Sequence, residues 1–94
     1  MKKGEKSMKV FQIVAVKDEL TEAFLTPAFV SKKEEGIRSF AWQINNNKIW
    51  KDNAADFSLY HLGTFDEITG TLIGTAPVKI AGGRSVLRRE ENEE

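Results

Sequence analysis

The chain has 94 residues, enough for one domain and too few for a multi-domain enzyme. Hydrophobic residues at 40% and charged residues at 30% fit a folded globular chain, and fourteen Lys and Arg balance fourteen Asp and Glu, so attraction to nucleic acid or membrane has to be local. The absence of cysteine excludes disulfides, thiolate metal sites, iron–sulfur ligation and a Cys nucleophile, and it fits a reducing compartment, with the cytoplasm as the default address.

Residues 1–8 read as a flexible basic leader: Met1 to Lys9 carry four lysines. Only seven apolar-rich residues follow, short of a signal-peptide core and far short of a span of about 20 residues, so no membrane association is expected. Val10 to Val16 (VFQIVAV) is apolar except for Gln12 and rich in β-branched residues, which predicts a strand. Lys17-Asp18-Glu19 supplies a turn, and Ala23-Phe24-Leu25 predicts a short second strand that Pro27 confines to an edge, because proline has no N–H to donate.

Ser31-Lys32-Lys33-Glu34 matches a capping box and predicts the start of a helix. Ile37, Phe40, Ala41 and Ile44 then form one apolar stripe at helical spacing. The run Asn45-Asn46-Asn47 ends it, since Asn tolerates the left-handed conformation that closes helices. Gly36 inside the helix costs up to about 1 kcal/mol relative to alanine, which either close packing or tolerance near the first turn would explain.

Lys48 to Asp56 reads as an irregular connection in which Ile49 and Trp50 fold back over the core. Phe57 to Phe65 (FSLYHLGTF) predicts the clearest strand, and Asp66 to Gly70 a hairpin loop with Gly70 at positive φ. Thr71 to Ile73 pairs back, and Thr75 to Ile80, which holds Pro77, extends or ends the sheet. The expectation is an α+β domain over residues 9–81: a small antiparallel sheet of about four strands in ββαββ order with one helix on one face. Residues 82–94 are expected to be a charged, flexible tail. Alternation in Phe57–Phe65 puts Phe57, Leu59 and Phe65 on one face and Tyr60 and Leu62 on the other. A single helix cannot cover both, so a homodimer is expected to hide the second face.

No phosphate-cradling loop, zinc-protease motif or nucleophile elbow is present, so neither enzyme activity nor a cofactor or metal is expected. His61, the one histidine, reads as structural, with Ser58 on the opposite face of its strand. Asp18, Glu19 and Glu22 lack the spacing of a calcium loop, and Asp66 and Glu67 read as turn residues rather than paired catalytic carboxylates. Trp42, four residues after Arg38, is either core or a platform for a nucleic-acid base. Trp50 between Lys48 and Lys51 is the better platform candidate. Arg84, Arg88 and Arg89 form a basic cluster ahead of an acidic end. Without Glu90–Glu94 the chain keeps fourteen basic and ten acidic residues, a net of plus four. The candidate nucleic-acid contacts are therefore Lys48, Trp50, Lys51, Arg84, Arg88 and Arg89, against the alternative of a solvated tail.

Ile37-Arg38-Ser39-Phe40, followed about twenty residues later by Tyr60-His61-Leu62-Gly63-Thr64-Phe65-Asp66 with Gly70, resembles the small non-structural proteins of gokushoviruses, microviruses with single-stranded circular DNA. The resemblance covers roughly Met8 to Pro77; the basic leader, the Trp50 loop and the tail after Gly83 depart from it. It implies a role like that of protein C of isometric microviruses, at the switch to single-strand synthesis and packaging into procapsids, and it hands over no catalytic residue. In that context the expected partner is single-stranded viral DNA in the cytoplasm of the bacterial host. The alternative is a non-enzymatic adaptor that docks on the replication initiator or procapsid proteins.

Overall fold

The computed structural model of the chain describes residues 9–88. Along the chain run β1 (Val10–Asp18), β2 (Ala23–Phe24), β3 (Ala28–Val30), α1 (Lys33–Asn46), α2 (Lys48–Asp52), a 3₁₀ turn (Ala54–Asp56), β4 (Phe57–Asp66), β5 (Thr71–Gly82) and α3 (Gly83–Val86). The protein is a small α+β fold with one antiparallel sheet. β4 lies between β1 and β5, and β2 and β3 both pair with the outer side of β1. β2 and β3 are two halves of one edge strand, interrupted at Leu25–Thr26–Pro27 because Pro27 cannot donate to the ladder. The interruption opens an apolar cleft of about 330 Å³ toward α1, lined by Leu25, Ala28, Val30 and Phe40 among others.

The apolar stripe of α1 is the centre of the core. Phe40 and Ile44 are the most completely buried large side chains, packed with Val14, Ala54, Phe57 and Leu59. Gly36 is buried because α1 approaches β1 closely: a Cβ there would meet Val14 Cγ2 at 3.2 Å. The helix begins at Lys33, one residue later than a Ser31–Glu34 box requires, so Glu35 takes the third helical position and its Oε1 accepts the Ser31 N–H at 2.9 Å. At the other end Asn47 is extended (φ −110) rather than left-handed. Its Oδ1 accepts the N–H groups of Ile49 and Trp50, at 3.0 and 3.2 Å, and thereby starts α2. The expected irregular connection is thus a short helix and a 3₁₀ turn, capped by the residue that also ends α1.

The expected tail begins too early. Gly82 closes β5, and α3 docks on the body, with Val86 and Leu87 packed against the core. Gly83 is buried where a Cβ would collide with the Ala54 carbonyl oxygen, so the Gly82-Gly83 pair that reads as a linker is a close contact. Chain beyond Arg88, including Arg89 and the acidic end, and the leader through Met8 lie outside the described residues.

One irregularity decides which residues share a face. From Asp18↔Phe57 to Val14↔His61 the β1–β4 register is regular, but Ile13 then pairs with Gly63, leaving Leu62 as an extra, bulged residue. A bulge inverts the alternation beyond it. Phe57 and Leu59 therefore face α1, whereas Phe65 joins Tyr60 on the opposite face, correcting the strict alternation expected from the sequence. Phe11 and Ile13 from β1, Phe24 from β2 and Phe29 from β3 share that open face, and the rings of Phe24–Tyr60 and Phe29–Phe65 meet edge to face, each pair at 5.4 Å between centroids.

Gly63 holds the bulge at φ +155, with the Ile73 carbonyl where a Cβ would stand. Gly63→Ala should cost about 1–3 kcal/mol in denaturant unfolding. Gly74→Ala, opposite it with no atom closer than 4.0 Å to the added carbon, should cost distinctly less.

Candidate nucleic-acid interface

The two tryptophans occupy opposite environments. Asn47 starts α2 so that Trp50 turns inward, and its ring stacks on Phe57 at 4.6 Å between centroids with an interplanar angle of 15°. It is half-buried and packs on the core, so it is not an open platform for a base. Trp42, by contrast, is 66% exposed on α1, off the buried stripe. Arg38, one turn before it on the same side of the helix, is also exposed.

Asn45 brings the basic C-terminal segment to this end of α1. Its Nδ2 donates to the carbonyls of Ala41 at 2.7 Å and Val86 at 3.0 Å, and its Oδ1 accepts the Arg88 N–H at 2.7 Å. An asparagine read from the sequence as a helix terminator is thus a clamp between segments more than 40 positions apart. Arg84 and Arg88 are exposed beside it. Lys48, at the start of α2, pairs with Asp52 at 2.9 Å; both side chains are largely in solvent, and such pairs contribute only about 0–1 kcal/mol, so Lys48 can exchange partners at little cost. Lys51, in the last turn of α2, is half-buried. Of the six residues expected from the sequence, Lys48, Lys51, Arg84 and Arg88 collect around the C-terminal end of α1, Trp50 is turned into the core, and Arg89 lies outside the described residues. Trp42 is the aromatic that this surface offers.

The other singled-out polar groups have structural partners. Asp18 and Asp66 each accept two backbone N–H groups through Oδ1, closing the β1–β2 and β4–β5 turns. Tyr60 Oη–H donates to Glu19 Oε2 at 2.8 Å. That bond, helped by the Ser58 hydroxyl and by Lys17 and Lys79, holds the Glu19 carboxyl below its ordinary range and raises the Tyr60 phenol. Among the described residues no group of three or more His, Cys, Asp or Glu side chains is gathered closely enough to hold a metal ion, and no helix is long and apolar enough to cross a membrane.

His61 faces α1 and lies 2.8 Å from Gln12 Oε1, to which Nε2–H donates. Burial, reinforced by the Lys33 ammonium, pushes its pKa below the ordinary 6.5. The unfolded chain then binds the proton more readily than the folded one, so this contribution to stability is complete above about pH 6.5 and is lost as the pH falls from there through the lower folded value. Urea unfolding below neutral pH should show that loss in the wild type, and His61→Gln should remove the part of the pH dependence that begins near 6.5.

Comparison with known proteins gives one family match: a family described as Phage ORF5 protein matches residues 11–86, from β1 through α3. No curated protein and no solved structure matches the chain.

Proposed function

The chain belongs to the phage ORF5 protein family, and from that premise we propose that it binds single-stranded phage DNA at the C-terminal end of α1. It acts on this reading as a non-enzymatic accessory in the cytoplasm of the bacterial host, during viral single-strand synthesis and packaging into procapsids. The observation that carries the reading is Trp42: an indole 66% exposed in a chain of this size, with exposed Arg38 on its own helix and Arg84 and Arg88 clamped beside that helix by Asn45. A strand of DNA needs both components of such a surface. The guanidinium groups and Lys48 neutralise phosphates, and the indole gives a base a face to stack on, worth about 1–3 kcal/mol by truncation and tolerant of sequence. A chain whose total charge is zero owes any such affinity to local grouping, which the docking of α3 on α1 provides.

The test is titration of an oligodeoxythymidine at several salt concentrations. Binding should weaken as salt rises, by about 0.7 log unit of affinity per log unit of salt for each phosphate neutralised. Trp42→Ala should weaken it about 5- to 150-fold with little change in that slope, matching about 1–3 kcal/mol of stacking. Replacing Arg84 and Arg88 together by Ala should flatten the slope. Absence of binding, or binding indifferent to salt and to Trp42, overturns the proposal and leaves the adaptor reading, which capture of the phage replication initiator or procapsid proteins through the same surface would test.

A further inference from the structure

The open face of the sheet is a second and chemically different surface. Among the described residues seven hydrophobic side chains are buried and eleven large ones are exposed, so the protomer leaves more large apolar groups in water than it encloses. Part of that excess is grouped. Phe24 at 40%, Phe29 at 52% and Leu72 at 62% exposure stand with the partly exposed Phe11, Ile13, Tyr60 and Phe65 on the face opposite α1. Four strand positions at about 4.8 Å spacing and nine residues at about 3.3 Å rise make a patch of about 19 by 30 Å in plan. Larger still with the relief of its rings, it approaches the roughly 800 Å² per partner of a stable interface.

The charges on this face make it a poor site for DNA and a good one for protein. Lys17, Glu19 and Lys79 all lie at one end, where Lys17 Nζ is 3.7 Å from Glu19 and both lysines help to keep that carboxyl ionised. Lys17 also sits over the rings of Phe24 and Tyr60, at 5.5 and 5.7 Å from their centroids. The stretch formed by Phe11, Ile13, Phe29, Phe65 and Leu72 carries no charge, the composition of an interface core rather than of a phosphate-binding surface.

We infer that this face is a homodimer interface, in which a second copy of the chain packs its own open face across a two-fold axis to make a sheet-on-sheet sandwich. A two-fold axis makes one patch sufficient for both sides. Twisted sheets stack with strands within about 30° of one another, which suits two identical four-strand layers. The small enclosed core also favours this occupant over a foreign one. A protomer that relies on a partner to cover its second face needs that partner whenever it folds, and a second copy is present in proportion to the chain itself.

Sedimentation velocity of the full chain over a range of concentrations, with the thermal midpoint measured on the same samples, tests the inference. The wild type should sediment as a dimer, with a midpoint that rises with protein concentration. Phe29→Lys and Leu72→Lys, both at positions open to solvent in the protomer, should dissociate it. Ile73→Lys, 57% exposed and pointing to the α1 side from the same strand as Leu72, should leave it intact. If the Lys variants of the open face fail to fold, the concentration dependence of the wild-type midpoint still decides. A wild-type monomer with a concentration-independent midpoint overturns the inference, whether the face is then bare or kept for another protein. So does a dimer that survives both open-face substitutions, or that is lost only with Ile73→Lys, which would place the contact elsewhere. Failure of DNA binding with the dimer intact would count against the proposed function alone, because Trp42 and α3 are not part of the open face.

Discussion

A helix about 10 Å wide spans about two strands of a sheet whose neighbours lie about 4.8 Å apart. Here α1 lies over β1 and β4, and the close approach at Gly36 with Phe40 and Ile44 packed on Val14 and Leu59 makes one narrow core along that line, open on the β2–β3 side at the cleft. Everything else in the fold extends or compensates for that narrow core. α2 and the 3₁₀ turn bring Trp50 onto Phe57 at one flank, and α3 brings Val86 and Leu87. None of these elements reaches the far side of the sheet, whose rings are left to pack on one another.

The same local devices that complete the core also lay out the surface. Asn47 closes α1 with its backbone N–H on the Gln43 carbonyl and starts α2 with its side chain, which turns Trp50 in and leaves Trp42, on the outer side of α1, with no layer above it. Asn45 holds α3 in place through two backbone partners and thereby brings the segment carrying Arg84 and Arg88 to the C-terminal end of α1. The core and the candidate interface are therefore coupled: loosening α3 would uncover Ile44 and its neighbours and disperse the positive charge at the same time. A polar residue in the last turn of a helix is the hinge of both effects.

The legible part of this structure was the part governed by local spacing. Ile37, Phe40 and Ile44 recur at helical period, Pro27 marks an edge, and Asp66 to Gly70 is turn chemistry, so α1, the short strand before Pro27 and the β4–β5 hairpin could all be read ahead, with Gly70 at φ 76, whereas β3 beyond Pro27 was not expected. What could not be read depends on contacts between distant segments. The bulge at Leu62 is a mismatch between two strands whose one mark in the sequence is Gly63 inside the β4 run, and it moves Phe65 to the other face. Gly82-Gly83 looks like a linker until Ala54 is found against it. The tryptophans differ from that reading for the same reason: neighbouring lysines make Trp50 look like the platform, whereas Phe57 takes its ring, Trp42 stays exposed, and Asn45 draws the basic C-terminal segment to the end of α1 from across the chain.

Taken together, the two surfaces constrain how such a protein would engage a strand of DNA. In a sandwich joined through the open faces the layers run helix, sheet, sheet, helix, so the two α1 helices lie on opposite outer sides, about 30 Å apart when successive layers are about 10 Å thick. The basic ends with Trp42 then face away from each other. A short oligonucleotide would occupy one end without touching the other, and two sites on one dimer would act independently toward short strands. A long strand would either wrap the body of such a dimer or be gripped at two separated points, and both outcomes would shorten and organise it. Compaction of this kind needs no chemistry from the protein, only two stacking and phosphate-binding ends held at a fixed distance by a shared apolar layer.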